Sequence, residues 1–218
     1  MLPTLLHLLD ALSSRAPQLV VGLVICGAML LIVSDHRLAI LAFLVQRSIV
    51  IVLLWPAIGI PLAATSVIAL IVIVVIYCIT EWRWRGVEMS EPAHANRSRP
   101  SLTSLPFRAL AASLAVLVTY GFVQTYNLNP LPPLVAFTVV WLIINSLFIL
   151  FVADSALRTG LGILTFADGC RTLYALWQPN LLVWGLWGAC DVLVALAASY
   201  LRSAEVIAAK SQPVGGHE

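Results

Sequence analysis

Seven long apolar segments dominate this sequence and constrain its fold more than any other feature. Each is close to the roughly 20 residues that a helix needs to cross the hydrocarbon core of a bilayer. Only 10% of the residues are charged and 61% are hydrophobic, whereas about 25% of a soluble domain is charged. We therefore predict an all-α integral membrane protein, a bundle of about seven transmembrane helices. The predicted spans are residues 17–34, 37–55, 58–80, 107–126, 132–153, 157–177 and 180–202.

Charge alternates between the connections that join these segments. Every second connection contains arginine or lysine, and the connections between them contain no charge. Because basic loops stay on the cytoplasmic side of a membrane, the pattern predicts an outside N-terminus and a cytoplasmic C-terminus. The basic connections are residues 34–37, 81–106 and 154–158 and the C-terminal tail.

The polar connector at residues 81–106 divides the chain into two units. It is rich in Ser, Pro, Asn and Glu, so we expect it to be flexible. A three-span unit at 17–80 precedes it, and a four-span unit at 107–202 follows. Residues 1–16 are too short to span a membrane and are expected to form an interfacial lead-in. Residues 203–218 are predicted to be a disordered tail.

The sequence lacks the motifs of a self-contained enzyme. It contains no phosphate-binding glycine loop, no H-E-x-x-H, no G-x-S-x-G and no cysteine cluster for iron–sulfur or haem. Its four cysteines show no metal-ligand spacing and are interpreted as small buried hydrophobic residues. The formal charge of +2 is too small to indicate nucleic acid. We expect no catalytic, cofactor-binding or metal site in Cys26, Cys78, Cys170, Cys190 or elsewhere in the chain.

The few ionisable residues inside the apolar segments fall at one depth. Asp168, Asp191 and Arg47 each lie ten or eleven residues from the charged end of their segment. At about 1.5 Å of rise per residue, this places all three roughly 15 Å from the same membrane edge. Charges in hydrocarbon cost a few kcal/mol at least and usually face a protein interior or a water path. The spacing therefore predicts one shared layer near the middle of the bundle.

This layer has two main interpretations. In the first, Arg47 pairs with Asp168 or Asp191, and Arg171 pairs with Asp168 across an i,i+3 step, simply to make their burial tolerable. In the second, the carboxylates pass protons laterally, because burial favours their neutral form and arginine favours their ionised form. Substrate or lipid sites are a third interpretation. Gln46 would position water in the proton path, or form an ordinary interhelical hydrogen bond.

Small and aromatic residues predict how the segments pack and where they meet the bilayer surface. Two glycines precede each aspartate in the last two segments and would let these helices approach closely. Aromatic residues at the predicted span ends are typical of an interfacial belt. The glycines are Gly160, Gly162, Gly185 and Gly188, and the aromatic residues are Trp55, Trp82, Trp84, Tyr126 and Trp177.

The last three segments resemble a known family. Arg158-x9-Asp168, followed by a helix with Cys190-Asp191 and small aliphatic residues, resembles the K-type subunit of proton-pumping NADH:quinone oxidoreductase, complex I. The longer chain, with Gln46 in an early segment, looks like the E component of hydrogenase-4-type membrane hydrogenases. K-type helices usually carry glutamate, so the two aspartates and the additional Arg171 depart from the family pattern.

This resemblance implies a function and a setting. The chain would be a non-catalytic membrane-arm subunit of a complex-I-like or group 4 hydrogenase-like oxidoreductase in a bacterial or archaeal cytoplasmic (inner) membrane. Antiporter-like membrane subunits would be its neighbours, and iron–sulfur and nickel-iron centres would lie in partner subunits. Asp168 and Asp191 would carry protons, Arg47 and Arg171 would tune their protonation, and Gln46 would position water. The alternatives are a structural bridging subunit with permanently paired charges and a stand-alone small ion transporter.

Overall fold

The computed structural model describes residues 15–33, 35–88, 105–126, 133–177 and 180–211, and all regular structure in these ranges is helical. The predicted lead-in falls almost entirely outside the described residues. In chain order the described helices are α1 (Ala16–Ile32), α2 (His36–Glu88), α3 (Leu105–Thr125), α4 (Pro133–Val152), α5 (Ala156–Ala175) and α6 (Leu181–Ser211).

Four of these helices, α2, α3, α4 and α6, are long and apolar enough to cross a membrane. Helix α1 is apolar but has only 17 residues. Helix α5 has 20 residues but includes Arg158, Asp168 and Arg171, which lower its hydropathy. The helices indicate a membrane-embedded protein, as the composition predicts. The count of seven spans and the orientation of the termini stay predictions.

Helix α2 folds back on itself at Gly59, whose φ of 69° and ψ of −179° are not helical. Arg37 near its start and Glu81 near its end line the same cavity. A straight helix would separate these two residues by about 65 Å at 1.5 Å per residue. Helix α2 therefore consists of two antiparallel arms, 36–58 and 60–88. With the arms counted separately, the described residues contain seven helical segments.

The charged ends of these segments meet at one end of the bundle. Asp154, just after α4, accepts a hydrogen bond of 2.8 Å from Arg108 on α3 and lies 3.6 Å from Arg158 on α5. The carboxylate of Glu205 on α6 accepts a bond of 3.1 Å from the backbone N–H of Ala156. We call this region, which contains Arg108, Asp154, Arg158 and Glu205, the charged end. A chain that crosses the bundle back and forth would bring these helix ends to the same side. Which side of the membrane it faces stays a prediction.

Two helices extend further than the sequence analysis predicted. The second arm of α2 continues to Glu88, into the predicted flexible connector, and α6 continues to Ser211, into the predicted disordered tail. These predictions were wrong for residues 81–88 and 203–211, because polar composition does not prevent a helix in the absence of proline. Pro92 and Pro213 are the first prolines after the two extensions. The rest of the connector up to residue 104 and of the tail lies outside the described residues.

Helix α5 lies against α2, α4 and α6, and this central position accounts for its buried charges. A Cβ atom at Gly160 would lie 2.5 Å from the Cβ of Ala198, so α5 and α6 touch closely there. The other three glycines do not bring these two helices together as predicted. Gly162 instead packs against α4, Gly188 faces the second arm of α2, and Gly185 has open space around it.

The prediction that all four cysteines are buried was also wrong. Cys78 and Cys190 are exposed, whereas Cys26 and Cys170 are half-buried, and all four are free thiols. The reason is that a helix surrounded by lipid is apolar on its outer face as well as on its packed face, since lipid tails are as apolar as a protein core. Apolar surroundings in the sequence therefore do not distinguish the two faces.

Replacing Gly59 by alanine tests the fold-back. The backbone conformation of Gly59 is almost restricted to glycine and costs other residues about 1–3 kcal/mol. We expect Gly59→Ala to lower the free energy of unfolding in detergent by that amount. Gly121→Ala is the matched control, because a Cβ atom at either position meets nothing within 4 Å and Gly121 lies inside helix α3. Equal stability of the two variants would contradict the turn at Gly59.

Candidate functional site

Four ionisable side chains converge inside the bundle. Arg47 comes from the first arm of α2, Asp168 and Arg171 come from α5, and Asp191 comes from α6. Each residue is 4% exposed or less. We call these four residues the Arg–Asp cluster. The structure thus brings together the three residues that spacing predicted at one depth and Arg171, the predicted partner of Asp168.

The two aspartates are held differently. Asp191 accepts a hydrogen bond from Arg47 and another from Arg171 through the same carboxylate oxygen. The nearest carboxylate oxygen of Asp168 lies 3.5 Å from Nε of Arg47 and 3.4 Å from Nη1 of Arg171. The pairings expected from the sequence are therefore present, and both aspartates contact both arginines. Asp191 accepts hydrogen bonds from both arginines, whereas Asp168 accepts one, from Arg171.

Charge balance and aromatic contacts make this burial tolerable. Two cations and two anions leave the ionised cluster neutral, which offsets a desolvation cost of several kcal/mol for each ion. The guanidinium carbon of Arg47 lies 5.9 Å from the ring centre of Phe43. That of Arg171 lies 5.8 Å from the ring of Trp184 and 5.9 Å from that of Trp187. These distances permit cation–π attraction at both arginines.

Local sequence explains why α5 presents two charges to one site. Asp168 and Arg171 are three residues apart, so they lie on the same face of the helix. Thr172 donates a hydrogen bond of 2.7 Å to the backbone carbonyl of Asp168, so its hydroxyl is satisfied without using the carboxylate. At the start of α5, the Ser155 side chain caps the helix by accepting a bond from the N–H of Arg158. The helix therefore projects both charges inward at a defined depth.

A small cavity adjoins the cluster. Its volume of about 10 Å³ is near the minimum that a single water molecule needs. Asp168 is the aspartate that lines it, together with both arginines of the cluster. On the far wall, Nε1 of Trp184 donates a hydrogen bond of 2.7 Å to the hydroxyl of Ser66. The apolar residues Val50, Ile51, Leu54 and Ile58 complete its lining.

Tyr77 lies beside the cluster on the side of the charged end, and the sequence analysis did not identify it. Its hydroxyl is fully buried and has no hydrogen-bond partner among the described residues. It lies 2.9 Å from where a Cβ atom of Gly160 would be, and it interacts electrostatically with Arg47 and Asp191. A tyrosine inside an apolar run is the signal that was available, because its hydroxyl usually finds a polar partner when buried.

Two other buried polar residues lie apart from the cluster. Gln46 is 1% exposed, and no hydrogen bond or ion pair among the described residues joins it to the cluster. Its proposed role in positioning water stays a prediction. Asn145 is fully buried, and its amide nitrogen lies 2.8 Å from where a Cβ atom of Gly27 would be, so it faces α1. The described residues also include no group of three His, Cys, Asp or Glu side chains placed to hold a metal ion.

Neutralising one aspartate at a time tests the asymmetry of the cluster. Removing one partner of a buried ion pair costs about 3–5 kcal/mol. We expect Asp191→Asn to cost this amount, and Asp168→Asn to cost clearly less, because Asp191 accepts hydrogen bonds from both arginines and Asp168 accepts one. The measurement is the free energy of unfolding in detergent.

A charge-balanced double variant is the control for this comparison. Asp191→Asn combined with Arg171→Gln leaves one arginine and one aspartate, so it should recover part of the stability that Asp191→Asn loses. If the double variant loses as much free energy of unfolding as the two single variants lose together, the loss does not come from unbalanced charge. Equal losses for the two aspartate variants would contradict the difference in their contacts.

Comparisons with known proteins identify no relative of this chain. No family model matches the sequence, and no curated protein and no solved structure matches it. The resemblance to K-type subunits therefore stays a prediction from residue spacing. The case for a function rests on the Arg–Asp cluster and on what lies beside it.

Proposed function

We propose that this chain is a membrane-arm subunit of a complex-I-like or group 4 hydrogenase-like oxidoreductase, and that its Arg–Asp cluster forms a carboxylate part of the proton path. The observation that carries the proposal is the position of Asp168. Its carboxylate is buried, its contacts with the two arginines are 3.4 and 3.5 Å long, and it lines a cavity with room for one water molecule.

The two aspartates would take different roles in this path. Asp191, bonded by both arginines, would hold the guanidinium groups in place. Asp168 would accept a proton from the cavity side and release it again. When Asp168 is neutral, the cluster carries one net positive charge. In a low-dielectric interior such a charge acts strongly on ionisable groups nearby, including those of a neighbouring subunit.

The arginines would set the balance between these states. Arg47 and Arg171 both favour the ionised form of Asp168, and burial favours the neutral form. Arg171 departs from the K-type pattern and contacts both aspartates. Tyr77 and the charged end lie on one side of the cluster, and the cavity extends on the other.

The topology belongs to the same proposal. We place the charged end in the cytoplasm, with seven spans, an outside N-terminus and a cytoplasmic C-terminus, in a bacterial or archaeal cytoplasmic membrane. Support comes from the meeting of Arg108, Arg158, Asp154 and Glu205 at one end of the bundle. Basic residues gathered at one membrane face are typical of the cytoplasmic side.

A structural bridging subunit is the second candidate, and one observation favours it. Both carboxylates contact both arginines, so the four charges can remain permanently paired. In that case the cluster would join α2, α5 and α6 and would exchange no proton. Neutralising one aspartate would then damage assembly of the complex more than proton transfer.

Carbodiimide labelling distinguishes a titrating carboxyl group from a permanently paired one. A hydrophobic carbodiimide reacts with the protonated form of a buried carboxyl group. We expect the purified chain to be modified at Asp168, which lines the cavity, increasingly so as the pH is lowered. Asp191, which does not line the cavity and is bonded by both arginines, should be modified less. Peptide mass spectrometry locates the adduct, and Asp168→Asn is the control. No adduct at Asp168 at any pH would favour permanent pairing.

Proton translocation by the assembled complex tests the role itself. We expect Asp168→Asn complexes to lose most of their proton pumping, measured in inverted vesicles relative to electron transfer in the same preparation. Asp35→Asn is the matched control, because Asp35 is an exposed aspartate at the end of the same bundle. If Asp168→Asn and Asp191→Asn complexes both pump as well as wild type, the proton path does not use this cluster.

The partners can be identified without any variant. The tagged chain, purified in mild detergent, should bring with it antiporter-like membrane proteins and subunits with iron–sulfur or nickel-iron centres. If the chain purifies alone and monodisperse, the subunit proposal fails. Ion transport by the chain in liposomes would then test the stand-alone transporter.

A further inference from the structure

A second cavity lies at the charged end, between the start of the first arm of α2 and the second arm. It has a volume of about 290 Å³ and is separate from the cavity at the Arg–Asp cluster. The first arm contributes Arg37 and Ile40, and the second contributes Cys78, Glu81 and Trp82. Each arm therefore supplies one charge, and the two charges are of opposite sign.

These two charges are available to a ligand of matching pattern. Arg37 is exposed, and Glu81 is half-buried. Arg37 and Glu81 line one cavity without forming an ion pair with each other. The carboxylate of Asp35 accepts a bond of 3.0 Å from the backbone N–H of Arg37, so it caps the start of α2. The His36 ring interacts electrostatically with Glu81, with Asp154 and with two arginines of the charged end.

The surface next to the cavity is apolar and faces outward. Leu41 is one helical turn from Arg37, and Val75 is three residues before Cys78, so both lie on the faces that line the cavity. Leu41 is 55% exposed and Val75 is 48% exposed. Trp82, at the rim of the cavity, is 79% exposed. Trp82 thus lies between charged residues and exposed apolar residues, which is typical of a tryptophan at the membrane–water interface.

We propose that this cavity binds the headgroup of a phospholipid that carries both a phosphate and a primary ammonium group. Arg37 would bind the phosphate, since arginine forms strong charge-assisted bonds with phosphate oxygens. Glu81 would accept N–H bonds from the ammonium group. One acyl chain would lie along the apolar strip that includes Leu41 and Val75. The lipid would then join the open ends of the two arms, opposite the turn at Gly59.

The chemistry of the cavity distinguishes this lipid from its common alternatives. An anionic headgroup without an amine would leave Glu81 facing a negative charge. A choline headgroup has a cation but no N–H donor for the carboxylate. The volume is also slightly below the roughly 300–1,000 Å³ of sites for drug-sized ligands, which suits a headgroup better than a large soluble molecule. The proposal requires only a membrane-embedded chain and does not depend on the proton path.

Native mass spectrometry of the full chain in detergent tests the preference. The probes are phosphatidylethanolamine, phosphatidylglycerol and phosphatidylcholine with identical acyl chains. We expect wild type to prefer phosphatidylethanolamine, and Arg37→Gln to weaken binding of all three roughly tenfold or more, because a bond to a charged group is lost. Glu81→Gln should instead remove the preference for phosphatidylethanolamine and improve binding of phosphatidylglycerol.

Matched variants separate the site from general effects of charge. Arg15→Gln and Glu205→Gln remove an exposed arginine and an exposed glutamate elsewhere in the chain and should leave the preference intact. The exchange variant Arg37→Glu/Glu81→Arg keeps both charges in the cavity and should bind phosphatidylethanolamine better than either single variant. If Arg37→Gln and Glu81→Gln bind the three lipids as wild type does, the proposal is wrong.

A measurement on the wild-type chain avoids variants altogether. Cys78 lines the cavity, and Cys190 is an exposed thiol on another helix. We expect phosphatidylethanolamine to slow the maleimide modification of Cys78 in nanodiscs more than phosphatidylcholine does, while Cys190 reacts at the same rate with either lipid. Equal rates at Cys78 in the two lipids would overturn the proposal.

Discussion

Mutual neutralisation of four buried charges is the interaction on which this bundle depends. Arg47, Asp168, Arg171 and Asp191 come from three helical segments, and none of these charges is tolerable alone in an apolar interior. Their pairing defines how the first arm of α2 is rotated and how deep it lies against α5 and α6. In a membrane, where apolar contact between helices is no better than contact with lipid, such polar contacts and close packing determine which helices associate.

Much of this arrangement follows from spacing along the sequence. Arg47 lies ten residues from Arg37, and Asp168 lies ten residues from Arg158. Because helical rise converts residue number into height, Arg47 and Asp168 are expected at the same depth. Rotation about a helix axis has no comparable signal when all faces are apolar. For this reason Gly185 was expected at a helix contact and lies in open space, and the hydroxyl of Tyr77 was not expected beside Asp191. The ends of α2 and α6 were misjudged for another reason, since the sequence analysis took polar composition to mean an irregular chain.

The two sides of the Arg–Asp cluster are packed differently. One side is close packed, where Gly160 lets Ala198 and the ring of Tyr77 approach α5. The other side has a small cavity bordered by Ser66 and Trp184. Tight packing holds the helices at a constant distance, and the cavity leaves room for a small movement of the Asp168 side chain or of one water molecule. A site that must be both rigid and responsive benefits from this combination.

The fold-back at Gly59 has a consequence for how this chain tolerates insertions and deletions. Arg47 and Tyr77 reach the same region from two arms that are joined by a single non-helical residue. One residue added or removed between Arg47 and Gly59 would rotate everything beyond it by about 100° relative to the first arm. Ser66 and Tyr77 would then both point away from the cluster, with no flexible loop to absorb the change. The length of this hairpin should therefore be invariant among related chains, even where their side chains differ.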